Sequence, residues 1–109
     1  MNDFSISEMQ QMQKELQNQY NNKWEPIEPK SVSEKLLWMI GETGEVIDII
    51  KKHSDIEYMT DTIVRQQLLE ELSDVLMYYN DILLCLGIDS NELKQAYIQK
   101  HLINLSRWE

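Results

Sequence analysis

The 109-residue chain contains one cysteine, two prolines, three glycines and one phenylalanine. A single thiol, Cys85, cannot close an intramolecular disulfide. Its setting in Ile82-Leu83-Leu84-Cys85-Leu86 reads as core rather than as a reactive site, so a reducing compartment, the cytoplasm, is expected. Basic residues are scarce, 10 Lys and Arg against 19 Asp and Glu for a formal charge of −9. That balance excludes sequence-independent binding to a nucleic-acid backbone, which needs a net cationic face. An acidic chain can still bind a polyanion when divalent cations lie between the two. No stretch approaches the roughly 18 apolar residues of a membrane span, and Met1-Asn2-Asp3-Phe4 has no basic leader, so neither anchor nor export signal is expected.

Also missing are strand-like alternation, internal repeats and low-complexity tracts. Helical periodicity is present instead, and 42% apolar residues suffice for one folded domain over residues 1–109. Ile6, Met9, Met12, Leu16 and Tyr20 recur at three- and four-residue intervals behind a Ser5/Glu8 capping-box pattern, which predicts a first helix with that apolar stripe turned inward. Both prolines fall between Trp24 and Lys30, a segment that cannot continue a helix. Ser31 and Glu34 repeat the capping-box pattern and predict a second helix from about Val32 to His53. The pattern breaks from Ser54 to Asp61. A long stripe from Ile63 to Leu86 then predicts a third helix ending at Gly87, and a fourth runs from Asp89 or Ser90 to about Ser106. The expected fold is an all-α four-helix bundle. Short chains bury only about two-thirds of their unfolded surface, so completion by self-association into a dimer or larger oligomer is expected.

Gly41-Glu42-Thr43-Gly44-Glu45 places two carboxylates at i and i+3 on one helical face, and Glu71-Leu72-Ser73-Asp74 does the same on the next long helix. A short connection favours antiparallel neighbours, so the two pairs can converge. Without counter-charge, close carboxylates repel by on the order of 4 kcal/mol per pair at intermediate dielectric, so protons or cations must occupy such a cluster. Oxygen ligands select hard cations, Mg²⁺ or Mn²⁺, whose shells are commonly completed by substrate phosphates. One such pair is ordinary on a solvated helix face; two on adjacent helices strengthen the case for metal, while spacing alone still favours a solvated face. A ferritin-like di-iron site needs Glu-x-x-His, whereas His53 and His101 follow Ile50 and Ile98 by three residues. Each mid-helix glycine costs about 1 kcal/mol relative to alanine, so Gly41 and Gly44 call for a reason: room for metal-bound phosphate, or close helix packing.

Gly41-Glu42-Thr43-Gly44-Glu45-Val46 followed by Glu70-Glu71-Leu72-Ser73-Asp74-Val75-Leu76 resembles the paired Glu-x-x-Glu and Glu-x-x-Asp motifs of the all-α nucleotide pyrophosphohydrolases. That superfamily includes MazG, the dimeric all-α dUTPases and the dCTP pyrophosphatases. The resemblance runs from about Trp24 to Trp108. It is nearest to the small MazG-like and dCTP-pyrophosphatase-like members, with Gly41 standing where the full MazG pattern has the first of two adjacent glutamates. It implies Mg²⁺ held by Glu42, Glu45, Glu71 and Asp74, cleavage of a nucleoside triphosphate to the monophosphate and pyrophosphate, and a homodimeric or homotetrameric bundle.

Lys100, Asn104 and Arg107 lie at i, i+4 and i+7, one stripe of the fourth helix, and resemble the family's late Lys-x-x-x-Asn-x-x-Arg segment. Donors so aligned can hold phosphate oxygens, Arg107 as a bidentate fork. Trp24 and Trp38 offer flat surfaces for a base. Trp38 lies one turn before Glu42, and Trp24 lies in the proline-bounded connection. The competing expectation is a non-enzymatic helical interaction module whose acids are a solvated face, or a nucleotide-binding homologue without turnover. Metal- and nucleotide-dependent stability separates these readings from the enzyme.

Overall fold

The computed structural model describes residues 3–108 of the chain. Among them are no strands, and the elements follow in the order α1 (Ile6–Gln19), a 3-10 turn (Pro29–Ser31), α2 (Val32–Lys52), α3 (Asp55–Thr60), α4 (Thr62–Cys85) and α5 (Ser90–Arg107). The all-α expectation holds, with four long helices and one short one. No described helix is long and apolar enough to cross a membrane.

Helix starts follow local side-chain chemistry. Ser5 Oγ accepts from the Glu8 N–H at 3.1 Å while the Glu8 carboxylate accepts from the Ser5 N–H, so the first capping box forms as its pattern predicts. At α2 the expected box is absent. Ser31 ends the 3-10 turn, its N–H bonded to the Glu28 carbonyl at 3.0 Å, and its φ of −88° and ψ of −1° lack the extended geometry a capping side chain needs. The proline-led turn starts the helix instead. The break from Ser54 to Asp61 contains α3, opened by a Ser54/Glu57 capping box and fastened by His53 Nδ1 to Glu57 at 2.8 Å. Six residues are too few for a periodic stripe to reveal. Asp61 then caps α4, accepting from Ile63 and Val64 N–H groups. At its other end Gly87, at φ +66°, and Ile88 donate to the Leu84 and Leu83 carbonyls, a Schellman termination that only glycine enters without strain.

Helix α4 is the spine: α2, α1 and α3 each pack along it, whereas among the described residues α5 makes no extended packing against another helix. Both α1 and α2 run antiparallel to α4, since Gln10 meets Ile88 while Gln17 meets Asp81, and Glu42 meets Asp74 while Lys35 faces Asp81. At its start α5 is tied by a 3.0 Å bond between Ser90 Oγ and Ser7 Oγ.

The interior is polar. Fully buried apolar residues are Val46, Val64, Leu83 and Cys85, while Gln10, Gln13, Gln17, Ser31, Lys35, Asn80 and Asp81 are equally buried. Helix α1 is therefore rotated from its expected setting: Met12 is 53% exposed, and a ladder of glutamines faces α4 instead. The reason is Asp81, a carboxylate deep in the spine that requires donors. Gln13 Nε2 supplies one at 2.8 Å and Gln17 Nε2 another at 3.4 Å, while Gln10 Nε2 donates to the Ile88 carbonyl at 3.1 Å.

Candidate active site

On α2, Glu42 projects toward α4, where Glu71 and Asp74 lie one turn apart. All three are half-buried, and each offers a carboxylate oxygen within 4.8 Å of the others. Neither described ion pair, Lys30–Glu28 nor His53–Glu57, involves any of them. Burial raises the Glu42 carboxyl above its ordinary 4.5, followed by the charge of Asp74, a hydrogen bond shared with Glu71 and the charges of Glu71 and Glu45. An all-oxygen cluster whose charges oppose the ionisation of Glu42 matches the donor set of a hard divalent cation. Glu45, one turn beyond Glu42, is exposed and borders the triad without joining it.

Beside Asp74 opens a cavity of about 280 Å³, between α1, α2, α4 and the proline-bounded connection. Trp24, Trp38, Leu16 and Met77 give it flat and apolar walls, and Gln13, Gln17, Lys35 and Asp81 line it with polar groups. One face of Trp24 is stacked on Tyr20, with ring centroids 4.7 Å apart and planes 24° from parallel. Burial and then the charge of Glu42 push the Tyr78 phenol up, keeping it a donor at neutral pH.

A family model decides what this arrangement belongs to: the MazG nucleotide pyrophosphohydrolase domain matches residues 30–101, well over half of the chain. The chain is a member of the MazG family. No curated protein and no solved structure matches it. The matched segment of this MazG domain runs from the 3-10 turn into α5 and holds all four predicted acids; Asn104 and Arg107 lie beyond it. The family is typically dependent on a divalent metal.

The structure gathers Glu42, Glu71 and Asp74, places Glu45 at their border, and puts Trp24 and Trp38 on the cavity wall. It does not bring Lys100, Asn104 and Arg107 to them: all three are exposed on α5, which contributes nothing to the cavity lining. Sequence reading passed over Gln13, Gln17, Lys35, Tyr78 and Asp81. Two spacings carried a signal, since Lys35 precedes Glu42 by seven residues and Asp81 follows Asp74 by seven, two turns along the same face. A lone acid within the apolar run Val75 to Leu86 was a further mark.

The raised Glu42 carboxyl fixes the sign of a pH effect. A carboxyl that holds its proton more tightly when folded contributes stability that is fully present below 4.5 and is lost as pH rises through the elevated folded value. Ligation requires the ionised form, so acidification opposes Mg²⁺. Calorimetric titration is expected to show Mg²⁺ binding that weakens as pH falls through the elevated Glu42 transition, by up to about tenfold per unit below it. Affinity that stays level across that transition would mean that Glu42 takes no part in ligation.

Proposed function

We propose that this MazG domain is a Mg²⁺-dependent nucleoside triphosphate pyrophosphohydrolase, with Mn²⁺ able to replace Mg²⁺. It uses one water to convert a deoxynucleoside or non-standard nucleoside triphosphate to the monophosphate and pyrophosphate. The observation carrying this reading is the convergence of Glu42, Glu71 and Asp74 within 4.8 Å, with Asp74 also lining an aromatic-walled cavity. With Glu45 beside them, these residues would hold the metal, which supplies charge neutralisation at the phosphates and polarisation of the scissile bond. Glu45, solvated and outside the triad, is suited to accept the proton of the attacking water. Trp38 and the free face of Trp24 position the base by stacking. Because α5 lies off its own chain's acids, Lys100, Asn104 and Arg107 serve the phosphates only if carried over from a second copy.

A homodimer or homotetramer is part of the proposal. The chain alone exposes 8464 Å² with a radius of gyration of 16.5 Å. A self-sufficient monomer of this size would expose about 6,300 Å² and have a radius of about 13 Å. The excess is what an obligate interface removes. Leu37, Ile40, Gly44 and Ile47 form one stripe of α2, with the three apolar side chains 67%, 59% and 51% exposed, on the face opposite Lys35, Trp38 and Glu42. A Cβ added to Gly44 would meet nothing within 4 Å in the single chain. Room for a neighbouring helix accounts for that glycine, and pairing through this stripe leaves the cavity open.

The test is a panel of standard and modified nucleoside triphosphates with Mg²⁺, scored for products. Monophosphate and pyrophosphate in equal amounts, abolished by chelator, are expected. Orthophosphate as product, or nucleotide-dependent stabilisation with no turnover under Mg²⁺ or Mn²⁺, would overturn the reading and favour a binding protein.

A further inference from the structure

Helix α5 is 18 residues long, and every side chain from Lys94 to Trp108 is exposed. Ser90 ties its start to Ser7, but among the described residues it makes no extended packing against another helix. A helix in a protein gains most of its stability by burying a face, and one of this length alone in water is marginal. Its residues are not those of a solvated helix. Ile98, Leu102 and Leu105 recur at i, i+4 and i+7, and Trp108 at the end is 87% exposed.

The same chain carries an uncovered seat. Between α1 and α4 lies a second hollow of about 170 Å³, walled chiefly by Phe4, Met9, Met12, Leu76 and Met77. Its apolar surface continues along α4 through Leu72 and Leu69, at i−4 and i−7 from Leu76, and these leucines and Met12 are all exposed. Asn80 lines the hollow as well. It is 1% exposed; its Nδ2 donates to the Leu76 carbonyl at 3.0 Å, while its Oδ1 is enclosed with no donor among the described residues. Such an oxygen gains from an arriving N–H or O–H, and Tyr97, Asn104 and Trp108 of α5 each carry one. Charge is matched too. Glu8 and Glu15 lie at i−4 and i+3 from Met12 on the exposed side of α1, whereas α5 holds three of the ten basic residues and one of the nineteen acids.

We propose that the α1/α4 groove is the seat of α5 from a second copy of this chain, exchanged reciprocally so that two copies close a two-fold pair. Both complementary faces are uncovered on one chain, so identical copies satisfy both at once, as a two-fold interface requires. The area agrees. The excess over a self-sufficient monomer, roughly 2,000 Å² per chain, is the size of surface an obligate pair removes. Met12, turned away from its own α4, is covered by the partner. This contact extends the self-association already proposed, is additional to the α2 stripe, and does not depend on catalysis.

Light scattering and sedimentation are expected to show an assembly for the full chain, and Leu102→Asp on α5 or Met12→Arg in the groove should each weaken the pair at least about 30-fold. Met12→Arg has a second readout. With its seat spoiled, α5 frays, and far-ultraviolet ellipticity falls by roughly one-fifth although the substitution lies on α1. Mixing the variants tests reciprocity. The Met12→Arg copy keeps an intact α5 and the Leu102→Asp copy an intact groove, so a one-to-one mixture should regain ellipticity above the mean of the two. Parent-like mass and ellipticity in both variants, or a mixture that gives only their mean, would overturn the exchange and leave the α2 stripe as the contact. A full chain that stays monomeric at millimolar concentration would overturn this contact and the self-association reading together.

Discussion

Glu42→Gln is expected to lower Mg²⁺-dependent kcat/KM by at least about 100-fold while raising the melting temperature of the metal-free protein by a few degrees. Partners that only orient metal ligands are worth roughly 10- to 100-fold, so a ligand itself should exceed that range. The stability gain has a separate origin. Burial and the neighbouring charges of Asp74, Glu71 and Glu45 all oppose ionisation of Glu42. A neutral amide of the same shape removes that repulsion and can donate to Glu71. Relief of about half a kcal/mol, the scale suited to a partly solvated group, moves the melting point of a domain this size by a few degrees. The opposed signs make the test sharp. On an ordinary solvated face the substitution would change neither quantity much. Thermal melts with and without Mg²⁺, beside a pyrophosphate assay, read both; a variant of full activity would remove the triad from the mechanism.

Ile40→Asp is expected to dissolve the assembly and lower the melting temperature by more than about 10 °C. In the isolated chain Ile40 is 59% exposed, and a polar replacement there would shift stability by no more than about 0.5 kcal/mol. If the Leu37, Ile40, Gly44 and Ile47 stripe is covered by a second copy, the same change buries an unpaired charge, and a loss of several kcal/mol follows. Light scattering with thermal melts distinguishes the cases. A variant with the parent's mass and melting point would place the contact elsewhere on the chain.

Periodicity and capping made the long helices legible from sequence, because their apolar stripes and Ser/Glu pairs extend over several turns. The acid triad was legible for a related reason: i, i+3 spacing on two neighbouring helices brings side chains to one place whatever the loops do. Three features were hidden. The rotation of α1 was masked because Met9, Met12 and Leu16 present an apolar stripe, whereas the orientation is set by a distant acid, Asp81, to which Gln13 and Gln17 donate. The 3-10 turn replaced a capping box because Pro29 supplies helical geometry before Ser31 needs to cap. Lys35 went unremarked because lysine is ordinarily a surface residue, and only the helix packing shows that this one is enclosed.

The best-enclosed positions of this chain include amides, a carboxylate and an ammonium beside few aliphatic chains, and several of them line the cavity. In most small domains the middle is ballast, finished before anything binds. Here each part answers another, so exchanging Gln13 or Gln17 for an apolar residue of similar size strands the Asp81 carboxylate and loosens α1 from the spine, and the cavity wall changes with the frame that holds it.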